Sequence, residues 1–152
     1  MIETVVKNTL HSYWRFSRGL TMGVRAVVID ENDKVFLIRH TYVAGWHFPG
    51  GGVETSEPVL EALMRELREE ACIELVKEPQ WHGIFFNRNV SNRDHVLVYV
   101  VRGFTVTSIK QPDREIAEAG FFPLDDLPPE TTASTRRRLA EIIRGEPVSR
   151  FW

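Results

Sequence analysis

The chain has 152 residues, 43% hydrophobic and 26% charged, with 19 Lys and Arg against 21 Asp and Glu. That length suits one globular domain with a buried core, and the hydrophobic content excludes intrinsic disorder. The slight net negative charge provides no field for duplex DNA or RNA, and the longest apolar run, Val96 to Val101, is too short to span a membrane.

The lone cysteine, Cys72, permits no intramolecular disulfide, and Glu3, Lys7, His11 and Arg15 stand where a signal peptide needs an apolar block. A cytoplasmic location is therefore expected. Residues 1–18 scatter Tyr13, Trp14 and Phe16 among polar residues without a clean period, and read as an arm packed on a single domain over 19–152. Leu20 to Ile29 reads as a strand, Asp30 to Asp33 as a turn and Val35 to Ile38 as a second strand. The segment His47-Phe48-Pro49-Gly50-Gly51-Gly52 breaks regular structure, and its glycines allow close backbone approach to a ligand.

Thr55 and Ser56 are candidate caps, Pro58 suits a first turn, and Leu60, Leu63, Met64, Leu67 and Ala71 recur at helical spacing. Trp81 to Phe86 and His95 to Thr105 read as strands joined by a polar segment, and a second helix is expected from about Ser134 to Arg144, stopped by Gly145. Strands and helices in this mixed order imply an α/β or α+β sandwich.

The first helix carries the chemistry. At ~100° per residue, with Glu66 as zero, Glu69 falls at about −60° and Glu70 at about +40°, while the apolar set occupies roughly 60° to 160°. Three carboxylates thus share a face beside the buried stripe, which suits the wall of a cleft. Oxygen ligands at this density match Mg²⁺ or Mn²⁺ better than zinc. Taken alone, the helix reads better as a solvated, salt-bridged face, because Arg65 and Arg68 are interleaved with the acids.

The joint pattern of loop and helix weighs the other way. Gly51, five residues, Glu57, seven residues, then Arg65-Glu66-Leu67-Arg68-Glu69-Glu70-Ala71-Cys72-Ile73 resembles the Nudix box, G-x5-E-x7-R-E-U-x-E-E-x-G-U, with Cys72 in place of the last glycine. Glu115 to Glu118 followed by Phe121-Phe122-Pro123-Leu124 is similar to the stretch after the last core strand in many Nudix proteins. The resemblance implies a Nudix-type α/β/α sandwich with a mixed β-sheet. It also implies Mg²⁺- or Mn²⁺-dependent hydrolysis of a diphosphate linkage in a small-molecule nucleoside diphosphate-type substrate.

Carried onto this chain, the resemblance makes Glu66, Glu69 and Glu70 metal ligands or the water-activating base. Arg65 orients the carboxylates, and Glu57 supports the metal shell. Glu115 is expected to fold back as a further ligand or the general base, with Glu118 the second candidate, because carboxylates engaged by metal have reduced basicity. Gly51 is expected to lie against the substrate. Arg39, His40, Tyr42, Trp46 and Arg88 are candidates for phosphate, ribose or base contacts, each with a structural alternative. His95, Trp81 and Trp152 read as packing residues and Cys72 as an inert thiol. Two other classes remain open, a non-catalytic ADP-ribose sensor and an interaction scaffold built on the N-terminal arm; homodimerisation is also open.

Overall fold

The computed structural model describes His11 and residues 13–152. Most of the expected arm lies outside the described residues; where it is described, residues 13–17 are helical and exposed, with Arg93 donating to the Phe16 carbonyl at 3.3 Å.

The strands are β1 (Thr21–Val28), β2 (Lys34–His40), β3 (Trp46–His47), β4 (Ile73–Leu75), β5 (Gln80–Phe86), β6 (Asp94–Val101), β7 (Phe104–Val106) and β8 (Ile116–Pro123). Helix α1 (Val59–Glu66) runs on into a five-residue π-helical turn, Leu67–Ala71, and α2 spans Ala133–Arg144. Among the described residues, β1-β6-β5 form a mixed sheet in which β1 and β6 are parallel and β5 and β6 antiparallel. β3-β2-β8 and β4-β7 form two antiparallel sheets.

Strand alternation builds two cores. Val24, Ala26 and Val28 of β1, Phe36 and Ile38 of β2, and Leu97 and Val101 of β6 pack with Ala62, Leu63 and Leu67 of the first helix. Their neighbours Val27, Val35, Leu37, Val98 and Val100 point the other way, to Phe85 and to Leu139 of α2. Strands covered on both faces read as near-continuous apolar runs, which is how β1 and β6 look in the sequence. The result is the expected α/β/α layering. No helix among the described residues is long and apolar enough to cross a membrane.

Two local expectations change. The run His95 to Thr105 is two strands, because Arg102 and Gly103 turn the chain and β7 leaves β6 to pair with β4. Pro58, in extended conformation, occupies the position before α1, and neither Thr55 nor Ser56 caps it. Helix α2 keeps its expected span and ends at Gly145 with φ 65°, and it is capped by Thr132, whose hydroxyl accepts from the Thr135 amide at 3.3 Å.

Candidate active site

The face of β1-β6-β5 that buries Val27, Val98 and Phe85 continues past the core as Arg25, Gly23 and Thr21 on β1, Val96 and Asp94 on β6, and Asn87 after β5. These residues floor a cavity of about 510 Å³. Across it stand Gly50, Gly51 and Gly52, Glu66 and Glu70, His40, Tyr42, His47 and Glu115.

The glycine loop is laid along β1. The Ala26 amide donates to the Pro49 carbonyl, the Val24 amide to the Gly51 carbonyl and the Val53 amide to the Met22 carbonyl, each at 2.9 Å. Gly50 has φ 142°, and a Cβ there would overlap the Val24 carbonyl oxygen. At Gly51 a Cβ would overlap the Glu66 carboxylate instead. The loop is therefore glycine-rich because backbone and carboxylate occupy the space a side chain needs.

Glu66 and Glu70 are buried, at 9% and 7% exposure, although both carry carboxylates. Glu70 accepts the Gly50 amide at 2.7 Å. Arg65 forks onto both oxygens of Glu57, at 2.9 and 3.1 Å, and reaches Glu66 at 2.7 Å and the Gly52 carbonyl at 3.2 Å. One guanidinium thus ties the loop and the helix together, a bidentate geometry that lysine does not supply. Glu69 points outward with its side chain 60% exposed, 3.5 Å from Arg65. The helical wheel explains the split: Glu70 lies nearest the apolar stripe and Glu69 farthest from it.

Burial pushes the Glu70 carboxyl up to about 7, against the opposing pull of the Gly50 amide and Arg25. Glu66 is also raised by burial, with Arg65 opposing. The Arg25 guanidinium is lowered by burial, offset by Glu70 and Glu66, and it donates to the carbonyls of Phe48 and Gly50. Burial, then Arg25, lowers His40, and burial lowers His47, so both imidazoles favour the neutral form.

Gly51, Glu66, Glu70 and Glu115 come together around the cavity, with Arg65 and Glu57 behind them. Arg39, Trp46 and Arg88 do not line it. Arg39 is paired with Glu118 across the β2–β8 ladder, which holds both residues on that ladder. Trp46 is core, packed edge-on against Phe122, because its place on β3 turns it into the layer beneath α2. The Arg88 guanidinium lies over the Phe151 ring at 4.6 Å. Sequence reasoning missed Arg25, although a single cation inside the apolar β1 segment TMGVRAVV was a usable signal.

Among the described residues no group of three His, Cys, Asp or Glu side chains stands arranged to hold a metal ion. The donor chemistry nevertheless fits a hard divalent cation. The donors are all oxygen, two of the carboxylates are buried, and a bound cation would offset the burial that resists their ionisation.

A family model described as the NUDIX domain matches residues 19–142. The chain is 29% identical over 131 residues to the human 8-oxo-dGDP phosphatase NUDT18, covering 84% of this chain and 40% of that protein. Against the crystal structure of a MutT NUDIX hydrolase from Burkholderia pseudomallei the TM-score is 0.68, with 26% identity over 80% of this chain and 97% of the other. Against an ADP-ribose pyrophosphatase from Streptococcus suis 89-1591 it is 0.62, with 27% identity over 85% and 96% of the two chains.

Proposed function

This chain belongs to the NUDIX domain family, and from that premise we propose that it is a divalent-metal-dependent hydrolase of a diphosphate linkage in a nucleoside diphosphate derivative. The observation that carries the reading is the glycine loop pressed onto two buried helix carboxylates that Arg65 and the Gly50 amide hold in place.

Glu66 and Glu70 would hold Mg²⁺ or Mn²⁺, with Glu69 as a further oxygen donor. A bound ion would neutralise the diphosphate oxygens and make the attacking water more acidic. The chain's own residues do the rest. Arg65, braced by Glu57, holds the Glu66 carboxylate in one orientation. The bare backbone of Gly51 lets phosphate approach Glu66 without obstruction. Arg25 places a partly desolvated cation beneath the loop, where it offsets the charge of Glu66 and Glu70. Glu115, reached from the loop before β8, accepts the proton of the attacking water. As the water oxygen bonds to phosphorus, the bridging P–O bond breaks and its electron pair leaves with the second phosphate.

A product screen tests the proposal, with Mg²⁺ or Mn²⁺ and nucleoside triphosphates, ADP-ribose, sugar nucleotides, dinucleoside polyphosphates and coenzyme A. Cleavage at a diphosphate that stops on chelation is expected. Tight nucleotide binding with no product from any of them would favour a sensor.

A further inference from the structure

The segment after α2 returns to the cavity and is fastened there by more bonds than packing alone requires. Ser149 to Trp152 runs beside β5 as a short parallel partner: the Phe86 amide donates to the Arg150 carbonyl at 2.9 Å, and the Trp152 amide donates to the Phe86 carbonyl at 3.1 Å. The Trp152 carbonyl accepts from Arg137 at 2.9 Å. Behind the segment lies Arg138, fully buried, which donates to the Phe151 carbonyl at 3.0 Å and to Glu141 at 2.6 Å. Glu141 in turn accepts the Ser149 amide at 2.9 Å and meets the His82 imidazole at 2.9 Å.

A fully buried guanidinium is costly, and removing one partner of such a pair leaves the other uncompensated, so a clamp of this kind fixes geometry more than it adds stability. What it fixes is Trp152. The Arg138 guanidinium lies 3.8 Å from the Phe85 ring centroid and 5.8 Å from that of Trp152, and Phe85 and Trp152 are 6.1 Å apart. Trp152 is only partly buried, and it lines the cavity together with Val90, Val96, Asn87 and Asp94. The glycine loop is laid along β1 from Ala26 to Met22, whereas the Trp152 segment pairs with β5, which β6 separates from β1. Three strand spacings, together roughly 14 Å, separate β1 from that segment. The cavity thus has the carboxylates and the glycine loop on one side and the Trp152 indole on the other.

We propose that Trp152 is the stacking wall for the base of a nucleoside diphosphate derivative, and that Arg138, through Glu141 and the Phe151 carbonyl, is the residue that positions it. This rests on the hydrolase reading for the phosphate side, and it adds a ligand-facing role to Trp152, which packs against the core beside Phe85 as expected. An indole face stacks any base, so Trp152 selects nucleosides over base-free diphosphates without choosing among bases.

Calorimetric binding of a nucleoside α,β-methylene diphosphate, beside base-free methylene diphosphonate, tests the assignment. Trp152→Ala and Trp152→Leu are expected to weaken the nucleoside probe about tenfold, or about 1.4 kcal/mol, and to leave the base-free probe within about twofold. Trp152→Phe is expected to recover most of the loss. Arg138→Lys keeps the charge but loses the fork, and is expected to weaken only the nucleoside probe and to raise KM more than kcat falls. Trp152→Leu retains apolar bulk, so it gives the answer even if Trp152→Ala does not fold. Equal weakening of both probes, or unchanged nucleoside binding in Trp152→Leu, would overturn the proposal. Wild-type binding of the nucleoside probe, with no turnover of any hydrolysable nucleoside diphosphate derivative, would instead overturn the hydrolase reading alone.

Discussion

Two adjacent glycines meet different kinds of obstacle, and that difference makes them separable by mutation. A Cβ at Gly50 would overlap a β1 carbonyl in a backbone region that other residues rarely enter, so Gly50→Ala is expected to cost about 3 kcal/mol or more, read as a lowered Tm. A Cβ at Gly51 meets no backbone but the carboxylate end of Glu66, which must swing away from Arg65, so Gly51→Ala is expected to keep its fold and lose most of its turnover. Cys72 has φ 54° where the Nudix box carries glycine. Cys72→Gly is expected to keep activity within about tenfold and not to lower Tm, since glycine adopts that conformation without steric cost. Loss of turnover in a stable Cys72→Gly protein would point to a thiol in the mechanism. Glu70 sets a pH dependence. Its folded carboxyl sits at about 7 against an ordinary 4.5, so the folded state holds the extra proton between those values and stability falls as pH rises through that window. The deficit above it is of order 3 kcal/mol. Without metal, Glu70→Gln is expected to melt higher than wild type at pH 8, with the gap closing by pH 5. A gap of equal size at both would contradict the burial account.

At the level of elements, β1, β2, α1 and α2 were legible because each carries its own period or its own stop. The break between β6 and β7 was not, since Arg102-Gly103 is a short signal inside an apolar stretch and only the pairing of β7 with β4 makes it decisive. The same limit applied to the site. Helical spacing was enough to set Glu66 and Glu70 beside the core, but which side chains face the cavity across the sheet depends on register. Arg25 could not be brought beneath Gly50, nor Trp46 removed from the site, until β1 and β3 had partners. The loop before β8 carries the matching expectation for Glu115. It lines the cavity, and its main chain is held by the Thr41 amide at 2.9 Å. Glu115→Gln is expected to lower kcat by roughly 10²-fold or more if this carboxylate takes the proton, with KM less affected. Unchanged kcat would return the role to the helix.

For the molecule as a whole, the layering positions the site. Both faces of the sheets are covered, one by α1 and one by α2, so the opening lies where the α2-side face runs past its helix and turns polar. Each helix then reaches that opening in its own way: α1 and the π-helical turn that continues it directly through Glu66 and Glu70, and α2 through the segment that carries Trp152. The chain spans about 40% of the length of the NUDT18 relatives it matches, so its substrate has to be established on this protein itself. The most direct measurement compares wild type with a Glu66→Gln, Glu69→Gln, Glu70→Gln triple variant, both shown to be folded, by product formation from a nucleoside diphosphate derivative in Mg²⁺. Wild-type cleavage abolished by chelation, with the triple variant slower by roughly 10³-fold or more, is the expected result. Full turnover by the folded triple variant would contradict it, because no carboxylate would then remain on the helix face.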